Sequence, residues 1–93
     1  MEIIKYLGDK LANRIHISPP AARGLLKLAI KDELGPFIKF EHINYKDLSE
    51  SIKNSFKKRL TNLKVADYEA ITEYMLNELT LNQSLIVMGG VFS

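Results

Sequence analysis

Ser18-Pro19-Pro20-Ala21-Ala22-Arg23-Gly24-Leu25-Leu26-Lys27-Leu28-Ala29-Ile30-Lys31-Asp32-Glu33-Leu34-Gly35-Pro36 decides the fold, because this stretch carries both of its own boundaries. Serine before proline is a helix start. Its hydroxyl can accept from an N–H of the first turn, and proline at the first helical position lacks only a donor that has no partner there. Gly35-Pro36 is the matching stop, a residue tolerant of left-handed backbone followed by one that cannot continue a helix. One helix is therefore predicted over residues 19–34. Ala22, Leu25, Leu26, Ala29 and Ile30 give it an apolar stripe, which marks it as the central core helix. Ala21 and Gly24 leave a small-residue spot where another helix can approach closely.

On the N-terminal side, Ile4, Leu7 and Leu11 recur at helical spacing with Lys5, Asp9 and Lys10 between them, so residues 2–13 read as an amphipathic helix. Arg14-Ile15-His16-Ile17 alternates too briefly to hold a strand alone and reads as a connector. On the C-terminal side, Phe37-Ile38-Lys39-Phe40-Glu41-His42-Ile43 is dense in apolar residues, and its spacing fits either a short strand or a docked loop. Asn44 with Asp47 then forms a capping pair, and Ile43 can staple onto Leu48, so a helix begins near residue 45. Its apolar face is read as Tyr45, Leu48, Ile52, Phe56 and Leu63, with Thr61-Asn62 as a break. Asp67 is positioned to cap a further helix that buries Tyr68, Ile71, Met75 and Leu79. Thr80 with Gln83 has the form of a capping box for a last short helix ending at Gly89-Gly90.

The fold expected from these segments is mainly α, a compact bundle of four or five helices with room for one minor strand pair from residues 15–17 and 38–43. A chain of 93 residues without internal repeat or low-complexity linker is expected to be a single helical domain, residues 1–93. Apolar residues make up 46% and charged residues 26%, a mixture that folds and does not stay disordered. With no cysteine, disulfides, thiol nucleophiles and thiolate metal sites are excluded. Charges interrupt Met1-Glu2-Ile3-Ile4-Lys5-Tyr6-Leu7-Gly8-Asp9, which is unlike a signal peptide, and no apolar run approaches the roughly 20 residues of a membrane span. The expected location is intracellular and cytoplasmic.

The chain carries no glycine-rich phosphate loop, no histidine-glutamate zinc motif and no nucleophile elbow, so no catalytic residue, cofactor or metal is assigned. His16 and His42 lack the convergent acids of a metal site and read as two partly buried histidines with hydrogen-bond partners. Charge is unevenly distributed. Residues 46–64 hold six cations (Lys46, Lys53, Lys57, Lys58, Arg59, Lys64) against Asp47 and Glu50, a balance of +4. Residues 65–93 hold Asp67, Glu69, Glu73 and Glu78 and no cation, a balance of −4. At 100° per residue Lys46, Lys53, Lys57 and Lys64 fall within about 40° of one another, a stripe able to follow a phosphate backbone. The bland alternative is a solvated face neutralised by the acidic helix that follows it.

Arg59 falls on the apolar side of its helix, so it must snorkel past the core, meet an acid such as Asp67 or Glu78, or touch a partner. Leu85, Ile86, Val87, Met88 and Phe92 form an unusually apolar end that must dock on the chain's own core or on another subunit. The function expected from the residues is a non-catalytic protein–protein interaction domain, an adaptor or small subunit of a complex. It would bind another protein or a copy of itself through Leu85, Ile86, Val87, Met88, Phe92 and Arg59. A nucleic-acid-binding module using Lys46, Lys53, Lys57 and Lys64 is the alternative.

Overall fold

The computed structural model describes residues 2–86. Five α-helices lie wholly within them: α1 (Glu2–Ile15), α2 (Pro19–Leu34), α3 (Tyr45–Ser51), α4 (Lys57–Asn62) and α5 (Tyr68–Leu81). A 3₁₀ turn, Phe40–His42, precedes α3, and a π-helical stretch, Ile52–Phe56, joins α3 to α4 without a break. The mainly α bundle expected from the sequence is the observed architecture. α2 lies between α1 on one side and α3 with the π stretch on the other, and α5 packs across α1, the π stretch and α4. Phe56, Leu7, Leu11, Leu60, Met75 and Leu79 are among the fully buried side chains.

The limits of α2 fall where its own residues place them. Ser18 Oγ accepts from the Ala21 N–H at 3.2 Å, and Gly35 ends the helix at φ 108° with its N–H on the Lys31 carbonyl. Asn44 and Asp47 form the reciprocal capping box at the start of α3. α2 is central in position but not the most buried helix: α1 buries six residues and α2 four, because the side of α2 that carries Leu28 is left open.

Two helices end in caps that the sequence does not announce, because glycine is not used. His16 and Lys64 both adopt φ 61°. In each case the chain turns back on itself: the Ile17 N–H reaches the Ala12 carbonyl at 3.2 Å, and the Val65 N–H reaches Leu60 at 3.1 Å. This is the bonding of a Schellman cap, satisfying carbonyls that the helix end would leave unpaired. Ile17 and Val65 thereby pack partly against the core.

The strand pair expected from residues 15–17 and 38–43 is not formed, and no strand occurs among the described residues. Ile15 completes α1 and His16 reverses the chain, while residues 40–42 close a 3₁₀ turn whose Ile43 N–H bonds to Phe40. That segment is a docked loop, with Ile43 buried and Ile38 and Phe40 packed on the core. Helical backbone resumes at Ser84, two turn residues after α5, but Thr80 does not cap it. It lies near the end of α5, and the Gln83 side chain donates to its carbonyl. Asp67 holds the cap position of α5 with its backbone carbonyl, which accepts from Ile71, and not with its side chain.

The π stretch solves a phasing problem. Leu48, Ile52, Phe56 and Leu60 are spaced by four residues, and in a regular α-helix they would fan over about 120°. A wider π turn between Ile52 and Phe56 absorbs that drift. All four side chains are buried. Leu60, not Leu63, is thus the last core residue of this rod, and Leu63 stands 62% exposed.

Candidate functional site

The outer surface where α2 meets the end of α4 is a cleft of about 500 Å³. It is lined by Ile17, Ala21, Gly24, Leu25, Leu28, Arg59, Asn62 and Leu63. Ala21 and Gly24 supply the low floor, and a Cβ added at Gly24 would meet no atom within 4 Å. Leu28, 49% exposed, and Leu63, 62% exposed, are its large open apolar side chains. The helix-against-helix approach inside the fold occurs elsewhere, at Gly8 of α1. A methyl group there would overlap Cγ of Arg23.

Arg59 forms one end of this cleft. Its partner is Asp32 of α2, and neither Asp67 nor Glu78: Nε donates to Oδ2 and Nη2 donates to Oδ1 at 3.0 Å. These hydrogen bonds hold the Asp32 carboxyl below the ordinary aspartate range, with Lys58 adding to the effect, and hold the Arg59 guanidinium above its own. A second cleft, of about 420 Å³ and lined by Asp32, Ser55, Lys58, Arg59 and Asn62, adjoins the first through Arg59 and Asn62. Next to Asp32 on α2, Glu33 accepts from Ser55 at 2.7 Å and Asn54 at 3.3 Å, so two consecutive acids tie α2 to the π stretch and α4.

The four lysines of the predicted stripe divide. Lys46 and Lys53 are exposed. Lys57 turns toward α5, with Nζ 4.0 Å from Glu69 and 6.0 Å from the centre of the Tyr68 ring. Lys64 lies past the end of α4, in the left-handed turn. His16 and His42 are exposed, unlike the partly buried pair expected, because each sits on a turn outside the helix faces. Among the described residues no group of three metal-ligating side chains is assembled, and no helix is long and apolar enough to cross a membrane.

At the C-terminal end, Ile86 is buried in the chain's own core and Leu85 packs against it. Val87, Met88 and Phe92 lie outside the described residues. Two exposed apolar side chains stand apart from the cleft: Phe37, 94% exposed just after Gly35-Pro36, and Leu81, 78% exposed at the end of α5. Compared with protein-family models, curated proteins and solved structures, the chain matches none.

Leu28 and Leu63 escaped sequence reasoning. Leu28 lies beside the core stripe of α2, where periodicity treats it as ordinary surface, and Leu63 continues the apolar row of its own helix. The accessible signal was the small-residue pair Ala21 and Gly24.

Proposed function

We propose that this chain is a non-catalytic interaction domain that receives an amphipathic helix of a partner protein in the cleft between α2 and α4. The carrying observation is the conjunction of a low floor at Ala21 and Gly24 with two exposed leucines, Leu28 and Leu63, on the same cleft. Small residues let a helix backbone come close, and flanking leucines supply the apolar area that anchors it, which is the helix-in-groove mode of recognition. Ile86 is committed to the chain's own core, so the cleft, more than the apolar end, supports an adaptor role.

The nucleic-acid reading has less support. One lysine of its stripe is shared with Glu69 and another lies beyond the helix, which leaves Lys46 and Lys53 as the exposed pair. The test is capture of partners from the native cell by the full chain, with intact-mass measurement of the complex. Leu28→Asp and Leu63→Asp should each abolish capture while leaving the melting temperature close to that of the parent. Capture that survives both changes, or that disappears only with Lys46→Glu and Lys53→Glu, would replace this reading.

A further inference from the structure

We infer that the helix received by the α2/α4 cleft is acidic along the edges of its apolar stripe, and that it belongs to a different protein and not to a second copy of this chain. This rests on the cleft being a helix-docking site, as proposed above. The charges around the cleft are mostly positive. Arg59 lies at the cleft and Lys58 lines the adjoining one. Lys64 follows Leu63 directly, and Lys31 is one helical turn beyond Leu28. The acid among the residues lining the two clefts is Asp32, and its carboxylate is already bound by Arg59. Lys31, Lys58 and Lys64 have no salt-bridge partner among the described residues.

Two copies meeting through this face about a two-fold axis would lay this basic patch on the same basic patch, since a two-fold interface pairs one surface with itself. Like charges brought together that way oppose association and select against that partner. A helix with glutamates or aspartates beside its apolar stripe meets the same lysines with opposite charge. It gains both orientation and a faster encounter rate.

The test selects helical peptides with leucine or alanine fixed at positions i, i+4 and i+7 and all flanking positions randomised, displayed against the full chain at low salt. Clones that also bind a Gly24→Gln variant are discarded, because glutamine there fills the cleft without entering the core. The recovered peptides should carry an excess of Asp and Glu beside the fixed stripe. The combined change Lys58→Gln with Lys64→Gln should weaken the best of them about fivefold, the scale expected for two exposed ion pairs, and added salt should remove most of that difference. Cleft-dependent peptides with neutral or basic flanks, or binding indifferent to the lysine changes, would overturn the acidic partner and leave the docking cleft standing. Recovery of no peptide sensitive to Gly24→Gln would overturn the cleft itself. A second copy of the chain as occupant would show instead as concentration-dependent dimerisation in sedimentation that Gly24→Gln abolishes.

Discussion

At the scale of single residues, the two helical glycines make opposite demands. Gly8 is where α1 touches Arg23 of α2, so a methyl group there forces the crossing apart. Overpacking of that kind costs about 1 to 3 kcal/mol and outweighs the roughly 1 kcal/mol that alanine gains over glycine within a helix. Gly8→Ala should therefore lower the unfolding free energy by about 1 kcal/mol in chemical denaturation. Gly24 faces open space, so Gly24→Ala should raise it by about 0.5 to 1 kcal/mol. If both changes stabilise, the α1/α2 crossing is looser than described. Lys64 is a third case, a side-chain-bearing residue held at φ 61°. Left-handed backbone costs about 1 to 2 kcal/mol for such a residue, and glycine would give back part of that gain through its unfolded-state freedom. Lys64→Gly should stabilise the fold by up to about 1 kcal/mol in the same assay, and a loss of stability would mean that the lysine side chain holds the turn.

Elements were legible in the sequence where their chemistry is local. Ser18, Pro19 and Gly35 bound α2 because a cap and a stop act within a few residues. The same holds for Asn44 and Asp47 at α3. The end of α4 falls at the expected Thr61-Asn62 break, but the caps that close α1 and α4 were not legible, since His16 and Lys64 adopt a conformation that their residue types do not advertise. The π stretch left a trace, the four-residue spacing from Leu48 to Leu60, but a fixed 100° per residue reads that row as a fading stripe and puts Leu63 in place of Leu60. Removing one exposed residue inside the stretch should convert it to regular helix, because deletion of Asn54 brings the apolar spacing to four, three and four. That deletion should leave a folded, cooperatively melting protein. Deletion of Lys27 from α2, equally exposed but in regular helix, should unfold it by rotating Ala29 and Ile30 away from the core. Equal damage from both would contradict the phasing account. The strap between α2 and α4 was partly legible: Arg59 was recognisable as a cation needing an acid, but its choice of Asp32 is tertiary. A lowered folded-state pKa means that the Asp32 pair contributes stability above the ordinary aspartate pKa and loses it as pH falls through the lowered value. Carbon-detected titration should find the Asp32 carboxyl below the ordinary range and find it restored by Arg59→Ala. The effect on stability should be small, since both side chains are about a third or more exposed.

Over the whole molecule, the bundle uses its apolar residues economically and leaves one organised exception. α1 and the continuous α3–π–α4 segment direct their large apolar side chains inward, as α5 does up to its last residue, the exposed Leu81, while α2 offers one face to the core and another, with Leu63 of the neighbouring turn, to the outside. The sequence could show that α2 would be central, but not that two helices away from each other in the chain would frame an open cleft, because that depends on where α4 stops. Among the other surface cations, Arg23 pairs with Asp9, Lys57 faces Glu69, and Arg14 lies over Tyr74. The central claim is that partners are engaged at the α2/α4 cleft, and the most direct test is to place a photoreactive amino acid at single positions of the full chain in its native cells. Covalent capture of a partner protein is predicted from positions 28 and 63 and not from positions 37, 53 or 81. Capture confined to position 81, or cross-links from position 53 to nucleic acid with none from positions 28 and 63, would contradict it.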